Sequence, residues 1–370
     1  MATSKNMVPE TMAVESSKKG LDLIATGDAL HSGWLNTLEE SLTETKDGIY
    51  RTVDTTDNNS TSFITTTEVE DNERIHHLII IPSIDAAWQM RDEFTAKNMD
   101  ADGRPKLRMN AGQIIEIAHD YGCMMGPAHI FTPWTGMYKS YDTISECYHR
   151  RPDFVELGLS SDTYLADTIE ELKDYTFLTN SDSHSPWPHR MGREFNRIDM
   201  ADLSFGSLKD AIRNNRIVEN YGYDPRMGKY HLTGCARCYR AYSLEEATKL
   251  KMRCSCGGQI KKGVKSRIEE LAAYSTPHHP KDRPRYRYIL PLAELLSTIH
   301  GKGVTTKYVQ SRYNILINEF GTEINVLLDV PLEEIAKIDG DLSGIIGAYR
   351  QNRLDVTAGR GGQYGTVRYG

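Results

Sequence analysis

Asp182 and His184 close a short apolar run, Phe177-Leu178-Thr179-Asn180-Ser181-Asp182-Ser183-His184, that reads as a buried strand. Metal-competent side chains at the C-terminal end of a strand are where α/β barrels keep their chemistry. One such pair is as readily a turn or a cap. Here the pattern recurs: Gly27-Asp28 and His31 follow Leu23-Ile24-Ala25-Thr26, Glu68 and Glu70 end Thr67-Glu68-Val69-Glu70, and His76-His77 open the next apolar stretch. Ala128-His129 and Glu156-Leu157-Gly158 end two more. Carboxylates and imidazoles at several strand ends of one sheet converge in space, and that donor mix suits Zn²⁺, Mn²⁺ or Fe²⁺. A multinuclear site of this kind activates water near neutral pH and offsets charge building on a phosphoryl group.

A second constellation is Cys235-x-x-Cys238 and, fifteen residues on, Cys254-x-Cys256 before Gly257-Gly258. Two such knuckles supply four thiolates, which predicts a closed structural Zn²⁺ site. Cys123 and Cys147 read as buried small hydrophobes. Six cysteines in 370 residues do not describe a disulfide scaffold.

The elements that must carry these residues alternate. A helix is expected over 9–19, strands over 22–26, 62–69 and 77–81, a helix over 110–120 and a strand over 123–128. Further helix and strand pairs follow at 144–159 and 169–178, then a helix over 205–214 and a strand from 217. Alternation of this kind predicts an α/β fold with a parallel sheet, doubly wound or closed as a barrel. Gly222, Asp224, Pro225 and Gly228 mark a linker, and apolar spacing from 290 to 355 is helical. The tail Ala358-Gly359-Arg360-Gly361-Gly362-Gln363-Tyr364-Gly365 reads as a flexible loop able to approach a phosphate.

Composition is that of an ordinary soluble protein, 39% hydrophobic and 26% charged. No apolar run approaches the ~20 residues of a membrane span, and no secretory signal opens the chain, which points to the cytoplasm. The net charge of −7 conceals an asymmetry: residues 226–312 carry 18 Lys and Arg against 6 Asp and Glu. A basic segment on an acidic body predicts a surface that meets a polyanion. Arg237, Arg240, Lys261 and Lys262 surround the cysteines, and Arg285 and Arg287 interleave with Tyr286 and Tyr288, a mixture suited to phosphates and unpaired bases. His189, Arg190 and Arg193 follow the Asp182 loop and are candidates to hold the backbone of a bound strand.

Taken together, Gly27-Asp28, Thr67-Glu68-Val69-Glu70, His76-His77-Leu78, Ala128-His129 and Ser181-Asp182-Ser183-His184 resemble the PHP (polymerase and histidinol phosphatase) metallophosphoesterases. Phe63 to Glu70, Gly158-Leu159-Ser160-Ser161-Asp162-Thr163 and Met191-Gly192-Arg193-Glu194-Phe195-Asn196 narrow the likeness to the archaeal endonuclease Q branch, over nearly the whole chain. The resemblance implies a distorted (β/α)7 barrel over 1–222, a zinc-binding basic module over 223–288 and a helical C-terminal region over 289–370. It implies a DNA-repair endonuclease that cuts 5′ of deaminated bases (uracil, hypoxanthine, xanthine), with two or three divalent metals (Zn²⁺, Mn²⁺ or Mg²⁺) in the barrel. In that reading Glu68 bridges two metals, His77 and His129 complete one site, and Asp182 shares the other. Asp28, His31 and His184 hold a third. His76 is the lesser candidate of its pair, because the family's ligand directly precedes the apolar run, and His119, in a helical segment, is assigned a structural role. Ser160, Ser161 and Asp162 are expected to read the edge of a base turned out of the helix.

The family's opening strand, which ends in Asp-x-His-x-His, has no counterpart here, and Met1 to Asn6 stand where the following loop belongs. The expectation is a longer native protein whose upstream codons restore the strand and two histidine ligands; the alternative is a defective copy. Two rivals follow, a phosphatase of a small phosphate ester and a catalytically defective DNA-binding protein. Archaeal repair enzymes often bind a sliding clamp, a further candidate partner, although no clear clamp peptide ends this sequence.

Overall fold

The computed structural model describes residues 4–53, 60–351 and 353–368. Met1, Ala2 and Thr3 of the expected N-terminal loop lie outside them. The fold is mixed α/β, organised around a curled sheet. Its central strand β4 (Ser62–Glu70) is rich in Thr, Ile, Phe and Val, side chains that fit a buried pleated surface. It pairs in parallel with β1 (Leu23–Ala25) and antiparallel with β3 (Ile49–Thr52), which forms a hairpin with β2 (Leu42–Lys46) through Asp47-Gly48. On its other side β4 pairs antiparallel with β5 (His76–Ile81), and β5 pairs antiparallel with β6 (Met124–Pro127).

The sheet is therefore mixed, not parallel. The reason lies in residues 71–75. Asp71 Oδ1 accepts hydrogen bonds from the backbone of Glu73 (2.9 Å) and Ile75 (2.8 Å), closing a turn too short for a crossover. A chain that reverses so tightly can only return antiparallel.

The curl continues through β7 (Val155–Glu156) and β8 (Phe177–Leu178), which are parallel. It then reaches a three-stranded sheet of β9 (Phe195–Ile198), β10 (Ile217–Gly222) and β13 (Arg285–Tyr288). β13 pairs with β10, so 285–288 belongs to the barrel side and not to the cysteine module. That module contains β11 (Gly234–Cys235), β12 (Ile260–Lys261) and the helix Leu244–Lys249, over a small core of Cys235, Ala247, Cys254 and Ile260. Its following helix, Val264–Leu271, sends Val264 and Ile268 into the barrel core.

Five helices, Leu292–His300, Lys307–Phe320, Glu323–Leu328, Leu332–Ile338 and Gly340–Arg350, pack on one another around Leu296, Leu316, Val326 and Ile346. The glycine-rich tail is not a free loop. It lies between β14 (Asp355–Thr357) and β15 (Thr366–Arg368), with Gly359 N–H on Arg226 O (2.8 Å) and Gly362 N–H on Lys229 O (2.9 Å). Gly361, at φ +60, passes so close to the Cys235 carbonyl that a Cβ would stand 2.3 Å from it. Glycine there serves backbone-to-backbone packing. No described helix is long and apolar enough to cross a membrane.

One buried cation ties three parts together. Lys19 ends the helix Pro9–Lys19, and its Nζ donates to Glu323 Oε1 (2.7 Å) and to Pro188 O (2.8 Å) in the Asp182 loop. Both side chains are at most 2% exposed, and Glu323 also accepts the Leu292 N–H at 2.9 Å. Truncating one partner of such a pair strands the other charge, which typically costs about 3–5 kcal/mol. Lys19→Met is accordingly expected to lower stability toward urea by about that amount, and Lys19→Met with Glu323→Leu to recover much of it. Equal midpoints for wild type and the single variant would contradict this.

Candidate metal centre and nucleic-acid interface

Glu68 stands near the end of β4 and His76 at the head of β5, close in the β4–β5 register (Glu68↔Leu78, Glu70↔His76). Cross-strand partners point to the same face and alternate residues to opposite faces, so Glu68, Glu70 and His76 share one side. His77 takes the other. There its ring pairs with Asp71 (3.2 Å) and the Tyr148 hydroxyl (2.5 Å), fully buried, where burial lowers its pKa. The histidine that reaches Glu68 is thus His76, not the expected His77. Its Nδ1 is 2.9 Å from Glu68 Oε1 and 3.2 Å from His129 Nε2, and Glu70 Oε2 lies 3.3 Å from its Nε2. The signal available in the sequence was the two-residue alternation counted across the turn.

His129 follows β6, with Nε2 3.6 Å from Glu68 Oε2. Its backbone N–H donates to Glu156 Oε2 (2.8 Å), while Asn180 Nδ2 donates to Glu156 Oε1 (2.7 Å). Glu156 is buried, and burial pushes its carboxyl up to about 7. Gly158 lies so near that a Cβ would come within 2.5 Å of the His129 Cβ. Burial alone would raise the Glu68 carboxyl, but hydrogen bonds from His129 and His76 outweigh it and hold it well below its usual range. Burial alone would lower His129, and Glu68 outweighs that in turn, raising it.

The donor atoms of Glu68, His76 and His129 all lie within 4.8 Å of one another, a spacing one cation can span. His129 Nδ1 is buried without a hydrogen-bond partner. The residues fit a divalent metal on the chemistry of the donors. Asp28, Glu68, Glu156, Asp182 and His184 line one cleft of about 1150 Å³, floored by Leu23, Ile64, Leu78, Ile80, Leu178 and Ile212. β1 pairs with β4 on one edge and with no described strand on the other, and its residues Leu23, Ile24 and Ala25 line the cleft.

Asp182 and His184 are half-exposed, with Oδ1 and Nδ1 3.8 Å apart. Asp28, His31 and His184 do not close into one coordination sphere. His31 caps the helix Ser32–Ser41, its Nδ1 accepting the Trp34 N–H at 3.3 Å. Arg104, absent from the sequence reading, donates from Nη1 to Glu68 Oε1 at 2.9 Å. His119 pairs with Asp153 (2.8 Å), as a structural residue would.

A family model described as the MJ0043 C-terminal domain matches residues 291–353. The uncharacterised protein MJ0043 of Methanocaldococcus jannaschii is 46% identical over 262 residues, 69% of this chain and 33% of that protein, so the chain spans about a third of that relative's length. The uncharacterised protein YqxK of Bacillus subtilis is 30% identical over 384 residues, 99% of this chain and 93% of YqxK. The crystal structure of the lesion-specific endonuclease PfuEndoQ from Pyrococcus furiosus superposes with a TM-score of 0.93 at 43% identity, covering 99% of this chain and 92% of that one. The chain belongs to the endonuclease Q family. A second endonuclease Q structure, a complex with a 27-mer duplex substrate carrying an abasic lesion at the active site, gives a TM-score of 0.93 at 42% identity, covering 100% of this chain and 93% of that one.

Other residues singled out for the endonuclease Q likeness fall unevenly. The four cysteines form a second group within 4.8 Å, with Cys235 and Cys256 sulfurs 3.5 Å apart and Cys238 and Cys254 sulfurs 3.6 Å apart. Four thiolates about 2.3 Å from one tetrahedral ion stand about 3.8 Å apart, so the cluster fits. Tyr242 O–H lies 2.9 Å from Cys254 Sγ. Ser161 and Asp162 are buried and committed: Asp162 accepts the Leu165 N–H (2.8 Å) and the Tyr288 hydroxyl (2.9 Å), and Ser161 Oγ bonds the Asp162 carbonyl. Asp162 caps the helical turn Thr163–Ala166, Ser161 is buried beside it, and Ser160 is half-buried.

The expected basic surface is partly spent on structure. Tyr286 is buried, Arg287 pairs with Glu219 (2.8 Å), Lys262 with Glu270, and Arg193 Nε donates to Ser181 O (3.0 Å). His189 is half-buried, and burial lowers its pKa. Arg237 donates to Cys256 O (2.9 Å) and Arg240 lies over Tyr242. Arg190 and Arg285 are exposed.

Two outcomes follow. Arg104→Ala frees Glu68, so Mn²⁺ is expected to bind roughly two- to fivefold more tightly by titration calorimetry, the range of a partly exposed ion pair; unchanged affinity would refute the competition. A module held by so small a core depends on its metal. Chelation is expected to expose 236–259 to limited proteolysis, read by mass spectrometry, while the barrel and C-terminal helices stay resistant. Protection of that segment in metal-free protein would count against it.

Proposed function

We propose that this chain is a metal-dependent DNA endonuclease that hydrolyses the phosphodiester 5′ of a deaminated base. The observation that carries the reading is the Glu68–His76–His129 cluster beside a deep acidic cleft, in a chain 43% identical over 99% of its length to a lesion-specific endonuclease. Divalent metal (Zn²⁺, Mn²⁺ or Mg²⁺) held by Glu68, His76 and His129, with Asp28, Asp182 and His184 as further donors across the cleft, supplies water activation and charge neutralisation. The remaining work belongs to the chain. Glu156, itself held by Asn180, fixes the His129 backbone, and Glu70 meets the His76 ring, a partner that holds a ligand to one geometry. Arg190 at the cleft loop and Arg285 on the basic face supply cations for the DNA backbone. The four thiolates hold a structural Zn²⁺.

The test is a duplex carrying one uracil, incubated with Mn²⁺. Incision at the single bond 5′ of uracil is expected, with undamaged duplex left intact. Glu68→Gln and His76→Ala are each expected to lower the rate by at least about a hundredfold, the upper end of the cost of losing even an outer partner of a metal ligand, whereas His77→Ala acts through stability. Hydrolysis of a small phosphate ester that DNA does not compete would replace the reading with a phosphatase. DNA binding without incision, at one zinc per chain, would replace it with a binding protein.

A further inference from the structure

Four segments distant in sequence bring aromatic rings and ammonium groups together outside the cleft. Trp134, 47% exposed, meets Tyr230 edge to face with ring centroids 5.8 Å apart. Lys261 Nζ lies 5.1 Å from the Trp134 ring. Lys229 Nζ lies 5.5 Å from both Tyr230 and Tyr364, and Tyr364 is 67% exposed.

These lysines differ from their neighbours. Lys249, Lys262, Lys265 and Arg267 are each paired with a carboxylate, whereas Lys229 and Lys261 have no carboxylate partner among the described residues. Two large exposed rings, Trp134 and Tyr364, with the half-buried Tyr230 and cations that lack a carboxylate partner, form a surface for a flat, anionic polymer rather than for a protein core.

The platform is also fixed to the metal centre. Thr132 N–H donates to His129 O (2.8 Å), and His76 N–H donates to Thr135 O (3.0 Å). Lys139 Nζ then bridges Trp134 O (2.9 Å) to Glu73 O (3.0 Å) and Arg74 O (2.9 Å) on the β4–β5 turn. Trp134 thus stands on a loop bonded to the backbone of both histidines.

We propose that Trp134, with Tyr230 and Tyr364, is a stacking platform for an unpaired nucleobase of the bound DNA, and that Lys229 and Lys261 hold the phosphates beside it. This rests on the endonuclease reading and adds where a strand displaced next to the lesion is received. The Lys139 staple fixes the backbone that carries Trp134, which reduces the conformational entropy lost when a base stacks on it.

The experiment compares wild type, Trp134→Ala and Trp134→Phe for binding to a fluorescent single-stranded oligonucleotide and to a uracil duplex with one unpaired base beside the lesion. Zinc content and thermal midpoint serve as fold controls. Trp134→Ala is expected to weaken both complexes at least about fivefold, the low end of what one stacked base contributes, and Trp134→Phe to restore most of the affinity. Replacing Lys229 and Lys261 by Gln is expected to flatten the salt dependence for single strands by about 1.4 in log–log slope. Affinity of Trp134→Ala within twofold of a wild type that binds and cuts uracil DNA overturns the platform alone. A wild type that neither binds nor cuts such DNA overturns the endonuclease reading and the platform with it.

Discussion

The β4–β5 hairpin is the constraint on which the rest of the structure depends. β4 is the hub of the six-stranded sheet, paired with β1, β3 and β5, and it is buried along almost its whole length. The Asp71 turn sets the register of β5 against it, and a slip of one residue would turn every side chain to the opposite face. Glu68 and His76 meet because that register is fixed. So do His77 and Asp71 on the reverse face, where they anchor the hairpin to Tyr148 in the core.

Around this hairpin the site is built from strained backbone. Asp28, His129 and Asp182 all have positive φ (51, 32 and 41), a region that L-residues rarely occupy. All three sit just past strand ends, after β1, β6 and β8 respectively. Strain of this kind persists only where the surroundings over-determine it, and it concentrates at functional sites. Here the determinants are visible: Glu156 and the bare face of Gly158 hold His129, and the Thr26–Thr66 hydrogen bond holds the segment before Asp28.

Buried and half-buried cations join the modules. Lys19 links the first helix, the Asp182 loop and the C-terminal helices. Arg267 of the helix after the cysteine module donates to Tyr138 O (2.7 Å) and Tyr141 O (3.0 Å) in the barrel. Arg283 is buried against Asp167 and over the Phe177 ring at 3.6 Å. Cations that look in sequence like a nucleic-acid surface are therefore divided between joints and surface. A position without a carboxylate partner leaves a charge available to a phosphate.

The sequence by itself determined the two chemistries. Four cysteines at knuckle spacing and carboxylates and histidines at strand ends are local patterns, legible because the ligand types and intervals are carried by the chain. The helices 9–19 and 205–213 and strands β1, β4, β5 and β6 were legible for the same reason. The β2–β3 hairpin and the helix Ile84–Glu93 were not read from the sequence, though Asp47-Gly48 marks the hairpin turn. Only the tertiary structure decided that the sheet is mixed, that His76 and not His77 faces Glu68, that Ser161 is buried and Asp162 caps a turn, and that the glycine tail is pinned. Each of these turns on which face a side chain or backbone group presents to a partner distant in sequence, and that is settled by register and packing, not by residue type.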